Sequence, residues 1–449
     1  MANVIKLRKG LDINLKGKAA EEKATVKATG IFGLVPDDFT GVKPKVVVKE
    51  GENVKAGDAL FVDKKHPEVK FVSPVAGTVT AVERGERRKV LSVQVTAAAQ
   101  QEYVDFGKKN VASLKGADVL ASLLDGGMFA FFRQRPYDVT ANPEDAPKAI
   151  FVSAFSSMPL AQNFEFALAG NEADFQTGLD ALAKIAPTYL SISAKQSNAA
   201  LTGAKNVTVT VFDGPNPAGN VGVQINHVSP VNKGEVVWTV NPEVVIFIGR
   251  LFNTGKVDLT RTVAVAGSEV LNPKYYTLLV GQQITPVLAG NVTDKHLRVI
   301  NGNPLTGVKA SKDAFLAAQA TEITVIPEGD DVNELFGWIA PRFNEFSSSR
   351  SYFSWLFPKK EGYTLDARIK GGHRHMIFSG EYDKVFPMDI YPEQLMKAII
   401  TGNIDSMEQL GIYEVAPEDF AVAEFVDSSK VELQRIVREG LDMLRKENE

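Results

Sequence analysis

The run Gly126-Gly127-Met128-Phe129-Ala130-Phe131-Phe132-Arg133-Gln134-Arg135-Pro136 combines aromatic rings and cations at a spacing suited to ligand chemistry. Phenyl faces stack on a flat aromatic ligand, and guanidiniums donate to carbonyl or phosphate oxygens. Phe129, Phe131, Arg133 and Arg135 are the candidate contacts on that reading. The alternative is a set of core phenyl rings beside two solvated arginines. Other constellations fail on spacing. Gly249…Gly255-Lys256-Val257 is one residue too long for a phosphate loop and puts Val257 where a magnesium-binding hydroxyl belongs. His373-x-His375 would share one face of a strand as a metal pair, but no third ligand of matching spacing follows. His66, His227 and His296 are isolated along the chain. With no Gly-x-Gly-x-x-Gly, Ser-x-x-Lys or Gly-x-Ser-x-Gly motif, the expectation is no catalytic residue and no metal site in this chain alone.

Composition narrows the classes further. The 449 residues contain no cysteine, which removes disulfides, thiolate nucleophiles and every cysteine-ligated iron–sulfur cluster. Net charge is −4 with Lys and Arg dispersed, so the concentrated basic surface that nucleic acid needs is missing. Hydrophobic content of 44% is that of an ordinary globular chain. The basic N-terminus has no apolar core of a secretory leader. No run reaches the ~18–20 apolar residues of a spanning helix. The nearest, Val236–Phe252, is broken by Asn241-Pro242-Glu243 and carries Arg250. A cytoplasmic chain, at most peripherally attached to a membrane, is expected.

Several elements must position the candidates. Val46–Val82 carries strand-like runs punctuated by Gly51, Gly57 and Gly77, all expected in the left-handed region that tight turns use. The pattern resembles the barrel-sandwich fold of biotinyl and lipoyl carriers, whose modified lysine sits at a hairpin tip. Asp63-Lys64-Lys65-His66 occupies that tip here, without a carrier's flanking residues, so Lys64 and Lys65 read as ordinary solvated lysines on a module reused for docking. From about 110 the pattern alternates. Ala149–Phe155, Tyr189–Ser193, Val207–Phe212 and Val244–Ile248 are predicted strands, and Leu160–Leu168 and Phe175–Ile185 predicted helices. Asp213–Asn220 follows a strand, where open α/β sheets place ligand loops. Residues 261–326 look like a soluble-ligand-binding β-grasp module. Phe336–Phe357 holds eight aromatic residues in 22, against 9% chain-wide, so it is either a docking surface or an internal aromatic core. Trp338, Phe343, Phe346, Trp355 and Phe357 are its candidate contacts, with Arg342, Arg350, Lys359 and Lys360 around them. Two apolar stripes close the chain: Leu395, Met396, Ile399, Ile400, and Leu433, Ile436, Val437, Leu441, Leu444. The predicted class is α+β multidomain: residues 1–105 mainly β with the barrel-sandwich, 106–260 a Rossmann-like parallel sheet, 261–326 the β-grasp module, 327–390 an aromatic irregular segment and 391–449 helical.

In order, Ile5-Lys6-Leu7-Arg8-Lys9-Gly10-Leu11-Asp12, the tip Asp63-Lys64-Lys65, Phe71-Val72-Ser73-Pro74-Val75-Ala76-Gly77 and Phe131–Pro136 resemble the A-subunit family of the Na⁺-translocating NADH:quinone reductase. That family is related to the C subunit of Rnf electron-transport complexes and to the NADH-binding subunit of respiratory complex I. The relatives' Gly-Gly-x-Gly-Phe-Pro flavin loop reads Gly126-Gly127-Met128-Phe129-Ala130-Phe131 here, and their iron–sulfur cysteines fall on Pro417, Phe420, Ala423 and Asp427. The resemblance therefore implies a subunit that binds no cofactor. It would be peripheral on the cytoplasmic face of the bacterial inner membrane, in a six-subunit complex that passes electrons from NADH to a quinone and exports Na⁺. FAD, FMN, riboflavin and iron–sulfur centres would lie in sister subunits. Its partners would be those subunits, above all the membrane-embedded quinone/flavin subunit, and no nucleic acid. Assembly and docking is the implied role, with a quinone-proximal surface at Phe129, Phe131, Arg133 and Arg135. The alternatives are a quinone-binding subunit contributing directly to turnover and a lysine-modified carrier.

Overall fold

Ala149–Ser153 is apolar in succession and buried over its first four residues, as a parallel strand covered on both faces must be. The computed structural model, which describes residues 3–330, 339, 341–343, 345–357 and 361–448, places it inside a seven-stranded sheet. Thr188–Ser193 and then Thr208–Asp213 lie parallel on one side of it, and Asn3–Lys6 forms the edge beyond them. Val237–Thr239 lies parallel on its other side, followed by antiparallel Arg133–Arg135 and Val139–Thr140. Strand order therefore reverses between Ala149–Ser153 and Val237–Thr239. In an open α/β sheet this reversal leaves a crevice beyond the strands' C-terminal ends.

The sheet's helices differ from the predicted ones in two places. Val244–Ile248 is not a strand but the centre of the helix Pro242–Thr254. Asn241 in extended conformation and Pro242 at the first position start that helix, and Glu243 to Gly249 are all buried. A helix apolar on every side is indistinguishable from a core strand by pattern alone. Leu160 takes a φ of 61°, so only Phe164–Leu168 of the predicted Leu160–Leu168 helix forms. Glu172–Ile185 crosses Pro242–Thr254 at backbone contact. A Cβ on Gly178 would lie 2.0 Å from the Val245 carbonyl oxygen, and one on Gly249 would lie 1.8 Å from that of Asp174.

The N-terminal module is a four-stranded sheet (Ile31–Leu34, Val90–Ala97, Gly77–Arg84, Asn53–Val54) facing a three-stranded one (Pro44–Val46, Ala59–Asp63, Lys70–Val72). Phe61 stacks on Phe71 with ring centroids 4.6 Å apart, and Phe39 packs edge-on at 4.5 Å from Phe71. Gly51 and Gly57 take the expected positive φ. Gly77 does not; it is needed because a Cβ there would lie 2.0 Å from the Thr96 carbonyl oxygen. Ala20–Ala24 leaves this module and pairs with Lys274–Leu279 on the edge of a six-stranded sheet built otherwise from residues 260–327. At the C-terminus, Leu433–Asn448 buries Leu433, Ile436, Val437, Leu441 and Leu444 and packs against Pro392–Ile400. Ile400 itself is exposed, so the first stripe is one residue narrower than predicted.

Adding a methyl at the helix crossing overpacks backbone against backbone, which outweighs alanine's higher helix propensity. Gly249→Ala should lower the unfolding free energy by about 2 kcal/mol or more in chemical denaturation, whereas a loss below about 0.5 kcal/mol would show that the two helices can slide apart.

Candidate functional site

A cavity of about 210 Å³ fills the crevice at the reversal of strand order. Ser153 and Phe155 enter from the end of one central strand, and Thr239, Val240 and Asn241 from the end of its neighbour. Gly219 and Asn220 come from the loop after Thr208–Asp213, the region expected to hold ligand contacts. Arg133 and Arg135 close one side, and Gln162, Asn303 and Thr321 form the wall toward the β-grasp sheet. Ser153 holds the rim together: its hydroxyl lies 2.9 Å from the Gly219 carbonyl oxygen and 3.0 Å from that of Phe155, and accepts from the Gln224 side chain at 2.8 Å. Behind the Gln162 wall, its side-chain amide donates to Glu243 at 2.9 Å and to the Thr262 carbonyl, while its backbone N–H donates to Glu322. Burial pushes both Glu243 and Glu322 up from the usual carboxylate range. Burial also brings Arg261, which donates to the Ala318 and Ala320 carbonyls, down to about 10.

Charge on the opposite side is concentrated around Arg135, whose side chain is 1% exposed. It donates to Glu418 at 3.3 Å and lies 3.7 Å from Asp419, both on the turn Pro417–Phe420. Burial opposes its charge, yet Asp138, Asp419 and Glu418 hold its pKa above the ordinary value. Burial likewise works against Asp138, but Arg133, Arg135 and Arg438 keep it below the usual carboxylate range. Asp419 is different. Its burial outweighs Arg135, and its pKa rises to about 7. The Asp419 carboxylate accepts from the Ala416 backbone at 2.8 Å and lies over Gly222, in the first turn of the helix Val221–Val228. A Cβ on Gly222 would come within 2.3 Å of the carboxylate. The C-terminal region thus places an acid at that helix N-terminus, where a helix dipole favours its ionised form.

Comparisons with known proteins match three stretches of the chain. Residues 5–98 match the family model described as the NqrA N-terminal barrel-sandwich hybrid domain, 114–257 the NqrA second alpha/beta domain, and 262–312 the NQRA C-terminal domain. Over 450 residues the chain is 35% identical to the A-subunit of the Na(+)-translocating NADH-quinone reductase of Serratia proteamaculans. It is 33% identical over 448 residues to the corresponding chain of Neisseria meningitidis serogroup B, and 34% over 451 to that of Vibrio alginolyticus. Each alignment covers 99% of this chain and all of the relative. The chain belongs to the A-subunit family of the Na⁺-translocating NADH-quinone reductase. Members are parts of a multi-subunit complex, so this chain has other subunits as partners. Among the described residues no helix is long and apolar enough to cross a membrane. A crystal structure of an NAD⁺-reducing [NiFe]-hydrogenase aligns with 74% of this chain and 66% of its own, at a TM-score of 0.39 and 14% identity, and no functional reading follows from it.

Of the four predicted ligand contacts, the fold brings two to the cavity. Phe129 and Phe131 are buried in the core: Phe129 stacks on Phe132 and meets Trp238 edge-on, and Phe131 packs against Phe39 and Phe247. Arg133 and Arg135 line the cavity, but neither is simply solvated, since Arg133 donates to Thr40 at 3.1 Å and pairs with Asp138. Lys64 is exposed, and Lys65 faces a cavity of about 120 Å³ shared with Asn142, Asp145 and Arg445, so the tip lies against the central domain. His373 and His375 are exposed and lie outside any strand. In the aromatic segment Trp338, with Lys359 and Lys360, falls outside the described residues. Phe343, Trp355 and Phe357 are exposed, whereas Phe346 turns inward onto Tyr363 and Phe425. Asp138, Gln162, Glu418 and Asp419 were missed. Pro417-Glu418-Asp419 reads as the acidic start of a helical turn, which explains the two acids locally and hides their partner.

With its folded pKa near 7 against an ordinary 3.8, Asp419 keeps its proton longer in the folded chain than in the unfolded one. Its contribution to stability is therefore complete below about pH 4 and is lost as pH rises through 7. Asp419→Asn should gain stability relative to the parent across that window, and parallel pH profiles of unfolding free energy would contradict it.

Proposed function

We propose that this chain is a peripheral subunit on the cytoplasmic face of the Na⁺-translocating NADH-quinone reductase, carrying no flavin or iron–sulfur centre and acting in assembly and docking. The observation that carries this reading is an exposed aromatic cluster. Phe343 lies 6.1 Å from Phe353 and 6.0 Å from Phe357, and all three are about half exposed or more. Trp355 and Leu356 extend the patch, and Arg350 sits over the Trp355 ring at 5.6 Å. A grouped aromatic face with an arginine is the composition of protein interface cores. Phe346 anchors the same segment to the C-terminal region, so the face is presented by a fastened loop. The absence of cysteine supports the lack of a cluster of its own. The partner that fits best is the membrane-embedded quinone/flavin subunit. Combined replacement of Phe343, Phe353 and Phe357 by Ser should leave the isolated chain folded, weaken its retention in the complex by about tenfold or more, and lower membrane NADH-quinone turnover in proportion. Full retention and turnover, or stoichiometric flavin absorbance from the isolated chain, would end this reading.

A second reading, direct quinone binding, is favoured by the crevice at the strand reversal. Phe155 and Phe164 give that cavity aromatic walls, and the Arg133 guanidinium can donate to a quinone carbonyl. Arg133→Ala should weaken binding of a short-chain quinone to the isolated chain by roughly 1–3 kcal/mol, the range for a hydrogen bond to a charged group. Equal affinity in calorimetric titration removes the site.

A further inference from the structure

Folding gives one of the sequence-isolated histidines two carboxylate neighbours. His66, on the hairpin tip of the barrel-sandwich module, meets Glu68 two residues on and Glu144 from the central domain's loop before Ala149–Ser153. One ligand atom from each lies within 4.8 Å of the other two, and the His66 Nδ1 to Glu68 Oε1 distance is 3.8 Å. We propose that His66, Glu68 and Glu144 form a divalent metal site that takes Zn²⁺ and fastens the barrel-sandwich module to the central α/β domain.

The donor set selects the ion. An imidazole nitrogen with two carboxylate oxygens suits Zn²⁺, whereas Ca²⁺ and Mg²⁺ prefer all-oxygen shells. Bond lengths of about 2.0–2.2 Å put the ligand atoms of a tetrahedral site roughly 3.3–3.6 Å apart. The observed spread closes to that by torsion of Glu68 and Glu144, both exposed and free to turn, with water in the fourth position. The backbones that carry the ligands are already held. Asp63 Oδ1 accepts from the Lys43 and Lys65 N–H groups, and the His66 carbonyl accepts from Val69 at 2.9 Å, which fixes the tip. On the other side Asn142 Oδ1 accepts from the Glu144 N–H at 3.1 Å, and the Asn142 N–H donates to Gln134 at 2.8 Å, which fixes the loop. Two carboxylates and a neutral imidazole give a formal charge of −2 that the ion neutralises. The three ligands come from two modules, so binding also cross-links them and favours the folded chain.

The test is titration of the purified full-length chain with ZnCl₂ by calorimetry, with CoCl₂ as a spectroscopic substitute and thermal melts with and without Zn²⁺. One Zn²⁺ per chain, tetrahedral Co²⁺ absorbance and a Zn²⁺-dependent rise in Tm are expected. His66→Ala and Glu144→Gln should each weaken Zn²⁺ at least tenfold and cancel the rise in Tm, while leaving the metal-free Tm unchanged. His373→Ala should change none of these. The proposal is overturned if the parent chain binds no stoichiometric Zn²⁺, if binding survives both His66→Ala and Glu144→Gln, or if it is lost in His373→Ala.

Discussion

Arg135 is the point at which the parts of this molecule meet. Its guanidinium reaches from the strand Arg133–Arg135, second from the sheet's edge, to a turn almost three hundred residues later, with Asp138, Glu418 and Asp419 around it. Burying a charge is costly, and only close opposite charges offset the lost hydration. The cluster's net contribution to stability is therefore small. Its value is positional: removing Arg135 would leave its buried carboxylate partners without their cation, at a cost of about 3–5 kcal/mol. Among the described residues, Arg135 Nε and Nη1 have no hydrogen-bond partner, so the ion pairs are held by charge more than by ideal geometry. Docking of the C-terminal region brings two carboxylates to this buried cation.

That docking propagates. Asp419 sits over Gly222 and fills the N-terminal end of Val221–Val228 from within the chain. Asn220 donates to the Glu418 carbonyl at 3.0 Å, and Arg438 to the Tyr137 and Asp138 carbonyls, so the last helix clamps the same corner. On the far side the backbone contact of Glu172–Ile185 with Pro242–Thr254 sets how close these helices sit. One wall of the cavity is thus positioned by electrostatics, and the helix behind it by the close approach of Gly178 to Val245 and of Gly249 to Asp174. The Gln162–Glu243–Glu322 network then joins the sheet to the β-grasp module through hydrogen bonds to buried carboxylates that burial makes easier to protonate.

Local patterns carried much of the architecture in the sequence. The turns at Gly51 and Gly57, the strands Ala149–Ser153 and Thr188–Ser193 and the stripe Leu433–Leu444 all follow from periodicity and turn residues, which are local properties. Val244–Ile248 was misread because a wholly buried helix and a core strand share one apolar pattern; Asn241-Pro242 was the discriminating feature. The site was half legible. Arg133 and Arg135 were found through their types, but Phe129 and Phe131 shared that run only because the core needed rings there. Glu418 and Asp419 could not be found at all, since nothing local distinguishes an acid that starts a turn from one that neutralises a distant arginine. Glu144 beside His66 is hidden for the same reason.

The chemistry available to the chain follows from what it lacks and what it exposes. With no cysteine, no thiolate can hold an iron–sulfur cluster, and Pro417, Phe420, Ala423 and Asp427 serve the fold. Phe420 and Ala423 are core, Pro417 starts the turn that carries Glu418 and Asp419, and Asp427 accepts from the Val431 backbone at 2.8 Å. The turn Pro417–Phe420 bears the acids that lock the C-terminal region to the sheet. The fastened segment and its exposed aromatic face support the proposed role of a subunit whose work is done by contact.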